Sequence, residues 1–139
     1  MTERPAPAFL KPNRCASAVA LAFGLTAAIL LSPSAAAAGE ADVVAAEASR
    51  DPSGTWTFRV TVRHADEGWD HYADKWQVLG PKGTVLATRT LHHPHVNEQP
   101  FTRSLSGVKL PAGIDSVTVR AGDSVHGFGG REFVVKLGP

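Results

Sequence analysis

The feature that most constrains this chain is an alternation of apolar and polar residues with a period of two. Between Trp56 and Arg63, the side chains of Trp56, Phe58, Val60 and Val62 share one face, while Thr57, Arg59, Thr61 and Arg63 share the other. That is the pattern of a strand with one face in a core and one in water. Weaker versions recur over residues 41–49, 75–79, 84–91, 101–110, 116–125 and 131–137, so seven strands are expected. Beyond residue 38 no long stretch carries apolar residues at helical spacing, which makes the expected domain all-β.

The breaks between these segments carry turn chemistry. Asp51-Pro52-Ser53-Gly54, Gly80-Pro81-Lys82-Gly83 and Pro111-Ala112-Gly113 supply Pro and Gly where a tight reversal needs a preset or positive φ. Seven short antiparallel strands, with Trp56 and Trp76 to fill the space between two sheets, predict an immunoglobulin-like or fibronectin-III-like sandwich. The run Leu110-Pro111-Ala112-Gly113, followed by Val117, Val119 and Ala121, resembles the turn that leads into the sixth strand of fibronectin-III domains. The chain has Asp115 near the place where many such domains carry a corner tyrosine. As a whole it resembles small exported bacterial sandwich proteins of this kind, a likeness that implies a fold and no particular chemistry.

The first 38 residues read as a cleavable signal peptide and residues 39–139 as the single sandwich domain. Arg4, Lys11 and Arg14 against Glu3 make a positive start, and an apolar stretch runs from Ala16 to Leu31. It is shorter than the roughly 20 residues that span a bilayer. Ser32-Pro33-Ser34 and Ala35 to Ala38 then supply a helix break and a small-residue cleavage region, with the cut expected after Ala38. Retention of this segment as an uncleaved anchor is the alternative. Cys15 precedes the apolar run, so it is not placed as a lipoprotein cysteine, and the domain after the cut has no thiol. The expected location is extracytoplasmic, in a periplasm or secreted.

The whole chain carries a formal charge of +1; loss of three cations and one anion with the leader turns that to −1. So small and interspersed a charge gives no footprint for nucleic acid.

If the strands run up and down in order, the three minimal turns fall at one end of the sandwich. The longer loops, residues 64–74, 92–100 and 126–130, fall at the other, and all six histidines lie in them. Imidazole is the commonest protein ligand for zinc and copper(II). The cluster therefore points to a divalent metal, with His71, His93, His95 and His126 as expected ligands and His92, Asp70 and Glu98 as reserves. The domain offers neither Cys nor Met, which leaves zinc or copper(II) as the fitting ions. Histidines in polar loops also hydrogen-bond backbone and shape the loop, and that reading stays open.

A second set of residues suggests a partner protein or glycan: Trp69, Tyr72 and Phe128 beside Asp66, Glu67, Asp70 and Asp74 resemble aromatic anchors in an acidic rim. The same aromatics could instead fold back onto the core. Ser124 and His126 would face the same way on a strand, but no orienting third group follows them, so no catalytic residue is assigned and the domain is expected to be a non-enzymatic binding module. Clustered imidazoles that repel one another once protonated would also make this end sensitive to pH near 6.5.

Overall fold

A computed structural model describes residues 39–138. These hold eight strands: β1 (Asp42–Arg50), β2 (Trp56–Arg63), β3 (Ala73–Leu79), β4 (Val85–Thr90), β5 (Phe101–Val108), β6 (Ser116–Asp123), β7 (Gly127–Phe128) and β8 (Phe133–Lys136). They form two antiparallel sheets. One has the order β1-β2-β5; in the other, β4 pairs with β3, β3 with β6, and β6 with both β7 and β8. The leader assigned to residues 1–38, including Cys15, lies outside the described residues. Among the described residues no helix is long and apolar enough to cross a membrane.

The alternation explains the layers. Phe58, Val60 and Val62 of β2 are buried with Val43 of β1 and Phe101 of β5, and they pack with Trp76, Val78, Val117, Val119, Ala121 and Val135 of the second sheet. Each such side chain removed from water contributes roughly 1.5–3 kcal/mol. Trp76 is wholly buried between the sheets, whereas Trp56 sits half-buried at the edge of the core. One side of the sandwich is closed where the segment before β8 crosses β1. Val43 donates its N–H to the Arg131 carbonyl (2.8 Å), and the Arg131 N–H reaches the Asp42 carboxylate (2.7 Å).

All seven predicted segments contain a strand, and β7 is additional. It forms inside the stretch expected as a sixth-to-seventh-strand loop. The turn Ser124–His126 is held by Asp123, so the chain folds straight back and pairs Gly127 and Phe128 with Asp123 and Gly122. A two-residue strand around a glycine is too short to leave a periodic signal.

Strand directions alternate from β1 to β7, with β8 running the same way as β7, so the connections β2–β3, β4–β5 and β6–β7 gather at one end. Hydrogen bonds join them there. Asp66 accepts from the His95 N–H (2.6 Å), Gln99 accepts from the His64 N–H (3.0 Å), and Tyr72 and Ser124 exchange bonds across the gap between β3 and β6. The opposite end carries the short turns.

Candidate metal centre

The inward stripe of three strands does not stop where the apolar residues stop. Continuing the period of two beyond Phe58, Val60 and Val62 gives His64; beyond Val117, Val119 and Ala121 it gives Asp123; and two residues before Ala73 it gives His71. All three are buried. The loop end of the hydrophobic core is thus floored by two imidazoles and a carboxylate, in a chain where burying a charge without partners is costly.

These three side chains converge. One donor atom from each of His64, His71 and Asp123 lies within 4.8 Å of the others. The imidazoles of His64 and His71 meet edge to face with centroids 4.8 Å apart. His71 Nε2 is 3.1 Å from Asp123 Oδ1.

Each histidine turns its two nitrogens to different duties. The Nδ1–H of His64 donates to Asp66 Oδ1 at 2.6 Å, which leaves Nε2 as the lone-pair nitrogen; that Nε2 is buried and has no partner among the described residues. His71 presents Nδ1 toward Glu67 Oε2 at 3.6 Å and Nε2 toward Asp123. A carboxylate behind one ring nitrogen is the arrangement that fixes tautomer and orientation in metal-ligating histidines, whose other nitrogen carries the metal.

Asp123 is equally divided. Its Oδ1 accepts the N–H groups of Val125 (2.9 Å) and His126 (2.7 Å) and lies 3.2 Å from His126 Nδ1, while its Oδ2 is buried without a partner among the described residues. Burial pushes this carboxyl up, but the two backbone N–H bonds and the nearby His126 and His64 rings outweigh it. The net result is a pKa below the ordinary aspartate value. Asp123 is therefore an anion held in the core.

Asp66 ties the loops behind the centre. Its Oδ1 takes the His64 ring N–H and the Ala73 N–H (3.0 Å), and its Oδ2 takes the His95 N–H. With a wholly buried side chain, it positions His64 and anchors the long loop between β4 and β5 in one contact set.

The expected ligands are placed unevenly. His71 lies in the centre, and His126 stands at its edge with its ring 4.9 Å from that of His71 and its side chain 41% exposed. His93 and His95 do lie side by side, at 4.6 Å, but they belong to a different stack: the His95 ring covers Phe101 at 3.9 Å. Burial, with help from the Arg103 and His93 charges, holds His95 below the usual imidazole pKa against the opposing pull of Glu98 and Asp66. His92 and Asp70 are exposed, and Glu98 is drawn into a two-point bond with Arg103 (3.1 and 2.9 Å) that lowers its pKa. His64 and Asp123, the donors outside the expected set, carried a legible signal: a polar residue falling on the inward register of an otherwise apolar strand face.

The aromatic set divides as well. Trp69 is 68% exposed and touches Tyr72 edge to face, whereas Phe128 lies half-buried on the outer sheet face under the Arg120 guanidinium, 4.0 Å from its ring. Ser124 Oγ accepts the Tyr72 N–H, and His126 turns to Asp123 rather than to Ser124.

Among curated proteins, one from Halomicrobium mukohataei described as "Putative lipoprotein" is 46% identical over 78 residues. The match covers 56% of this chain and 38% of that protein, so the chain spans well under half of its relative's length. No protein-family profile matches the chain, and no solved structure does.

Proposed function

We propose that this domain is an extracytoplasmic binding module that holds one divalent transition-metal ion, zinc or copper(II), through His64 Nε2, His71 Nε2 and Asp123 Oδ2. The observation that carries it is the pair of buried, unpartnered acceptors, His64 Nε2 and Asp123 Oδ2, beside an imidazole whose far nitrogen also faces a carboxylate. Two nitrogens and one oxygen suit both ions. Bonds of about 2.0–2.1 Å require ligand atoms no more than about 4 Å apart. Binding would therefore draw the three donors in slightly. It would also move the His71 proton from Nε2 to Nδ1, on the Glu67 side, since only a neutral imidazole lone pair ligates.

Export is supported by the leader-like start and by the relative's description as a lipoprotein. The sandwich itself we read as fibronectin-III-like, because β4 pairs with β3 and leaves β1, β2 and β5 as the smaller sheet. A second reading, an adaptor for a partner protein or glycan, is favoured by the exposure of Trp69 beside exposed Glu67 and Asp70; its anchors would be Trp69 and Tyr72.

Calorimetric titration of the tag-free, chelator-stripped protein with zinc and copper(II) tests the metal reading. One ion per chain at micromolar affinity or better is expected. Asp123→Asn keeps an Oδ1 acceptor for the Val125 and His126 N–H groups while replacing the ligating oxygen by an amide, and it should lose binding. His93→Ala should retain it. Absence of binding by the unaltered protein removes the reading, and binding lost in His93→Ala but kept in Asp123→Asn moves the site to the loop between β4 and β5.

A further inference from the structure

We propose that the metal centre is open, with one coordination position facing solvent past His126 and available to a small exogenous donor, an anion or water. The proposal rests on the metal reading above and goes beyond it, because a closed four-ligand site would serve structure alone whereas an open one binds a second ligand.

Three observations carry it. First, only three donor groups, His64, His71 and Asp123, meet at the centre among the described residues. Zinc sites of structural type take four protein ligands, while three with a free position mark sites that bind water or substrate. Second, exposure is graded across the side chains that meet Asp123. The side chains of His64 and Asp123 are wholly buried and that of His71 is 10% exposed, but that of His126, against both His71 and Asp123, is 41% exposed. Of the side chains against the buried Asp123, that of His126 is thus the most open to solvent.

Third, His126 is tied down in a way that opposes its own ligation. Its backbone N–H and its ring Nδ1 both address Asp123 Oδ1, at 2.7 and 3.2 Å. The two nitrogens of an imidazole diverge, so a ring committed through Nδ1 to that oxygen points Nε2 away from it. His126 accordingly acts as a cover over the free position. Its side chain is the exposed partner of that contact, so the ring has solvent to turn into when a donor enters. The exposed Glu67 carboxylate on the other flank of His71 adds negative charge at the rim.

Cobalt(II), which occupies zinc sites and absorbs visible light, gives the test. The full chain is stripped and loaded with cobalt(II), loading is confirmed by displacement with zinc, and the loaded protein is titrated with sodium azide. The expected result is a saturable change in the cobalt absorption with one azide per metal. In His126→Ala the metal stoichiometry should hold and azide should bind several-fold more tightly. A cobalt spectrum that azide leaves unchanged in both proteins shows a closed centre and overturns the proposal, with the metal reading intact. Azide binding only in His126→Ala would mean that His126 is itself the fourth ligand, which also overturns it. Failure of cobalt, zinc and copper(II) alike to bind the unaltered chain sinks the metal reading and this inference together.

Discussion

At the scale of single residues, Asp66 organises the centre without lying in it. One carboxylate satisfies the His64 ring N–H, the Ala73 N–H and the His95 N–H, all buried. Asp66→Ala would orphan three donors, and each unsatisfied buried group costs about 1–3 kcal/mol. Partial relaxation and water entry reduce the sum, so a loss of about 3–5 kcal/mol in chemical denaturation is expected. Asp66→Asn keeps one acceptor oxygen and should cost less. If Asp66→Ala costs no more than an ordinary surface change, the role given to this residue is wrong. His64, freed from its partner, would also lose its fixed tautomer, so metal affinity should fall alongside stability.

At the scale of elements, the strands were legible because one physical rule, burial of alternate residues, wrote itself into β2 and β6 without interruption. The gathering of three loops at one end followed from alternating strand direction. The proposed ligand set was less legible, because histidine count and local spacing draw attention to His93 and His95, where the chain is rich in imidazole. What sets His64 and Asp123 apart is the register of a strand end. His64 and Asp123 extend a core stripe and so must be buried; His93 does not, and is exposed. A further element-level constraint is Gly130, where the segment before β8 lies so close to β1 that a Cβ would strike the Ala41 carbonyl. Backbone on both sides prevents an easy escape. Gly130→Ala should therefore separate β1 from this segment, breaking the Val43 N–H to Arg131 bond, at a cost of roughly 1–3 kcal/mol. Thermal melting together with loss of amide protection at Val43 would register it, and a melting temperature equal to that of the unaltered protein would contradict the close contact.

For the whole molecule, two buried groups at the loop end with perturbed pKa values, His95 and Asp123, give stability a direction in pH. His95 has a folded pKa below its unfolded value, so the unfolded chain takes up the proton first. Stability is full above about pH 6.5 and declines as pH falls below it. Asp123 is also depressed; its contribution is full above about pH 3.9 and is lost as pH drops through the lower folded value. Both therefore weaken the metal-free protein on acidification, in two separate windows. An ion bound as proposed would add a third dependence of the same sign, since His64 and His71 must be neutral to ligate and protons compete with the metal. At a free metal concentration 100 times the dissociation constant the gain is about 2.7 kcal/mol, and for a domain of about 100 residues each kcal/mol raises the melting temperature by roughly 4–8 °C. Melting curves of stripped and zinc-loaded protein at pH 7.5 and 5.5 should thus show two effects: a lower midpoint for the stripped protein at pH 5.5, and a zinc-induced rise of about 10–20 °C at pH 7.5 that shrinks at pH 5.5. A zinc-induced rise of equal size at both pH values would mean that imidazoles do not hold the ion. A stripped midpoint that climbs on acidification would mean that His95 is not held neutral against Phe101.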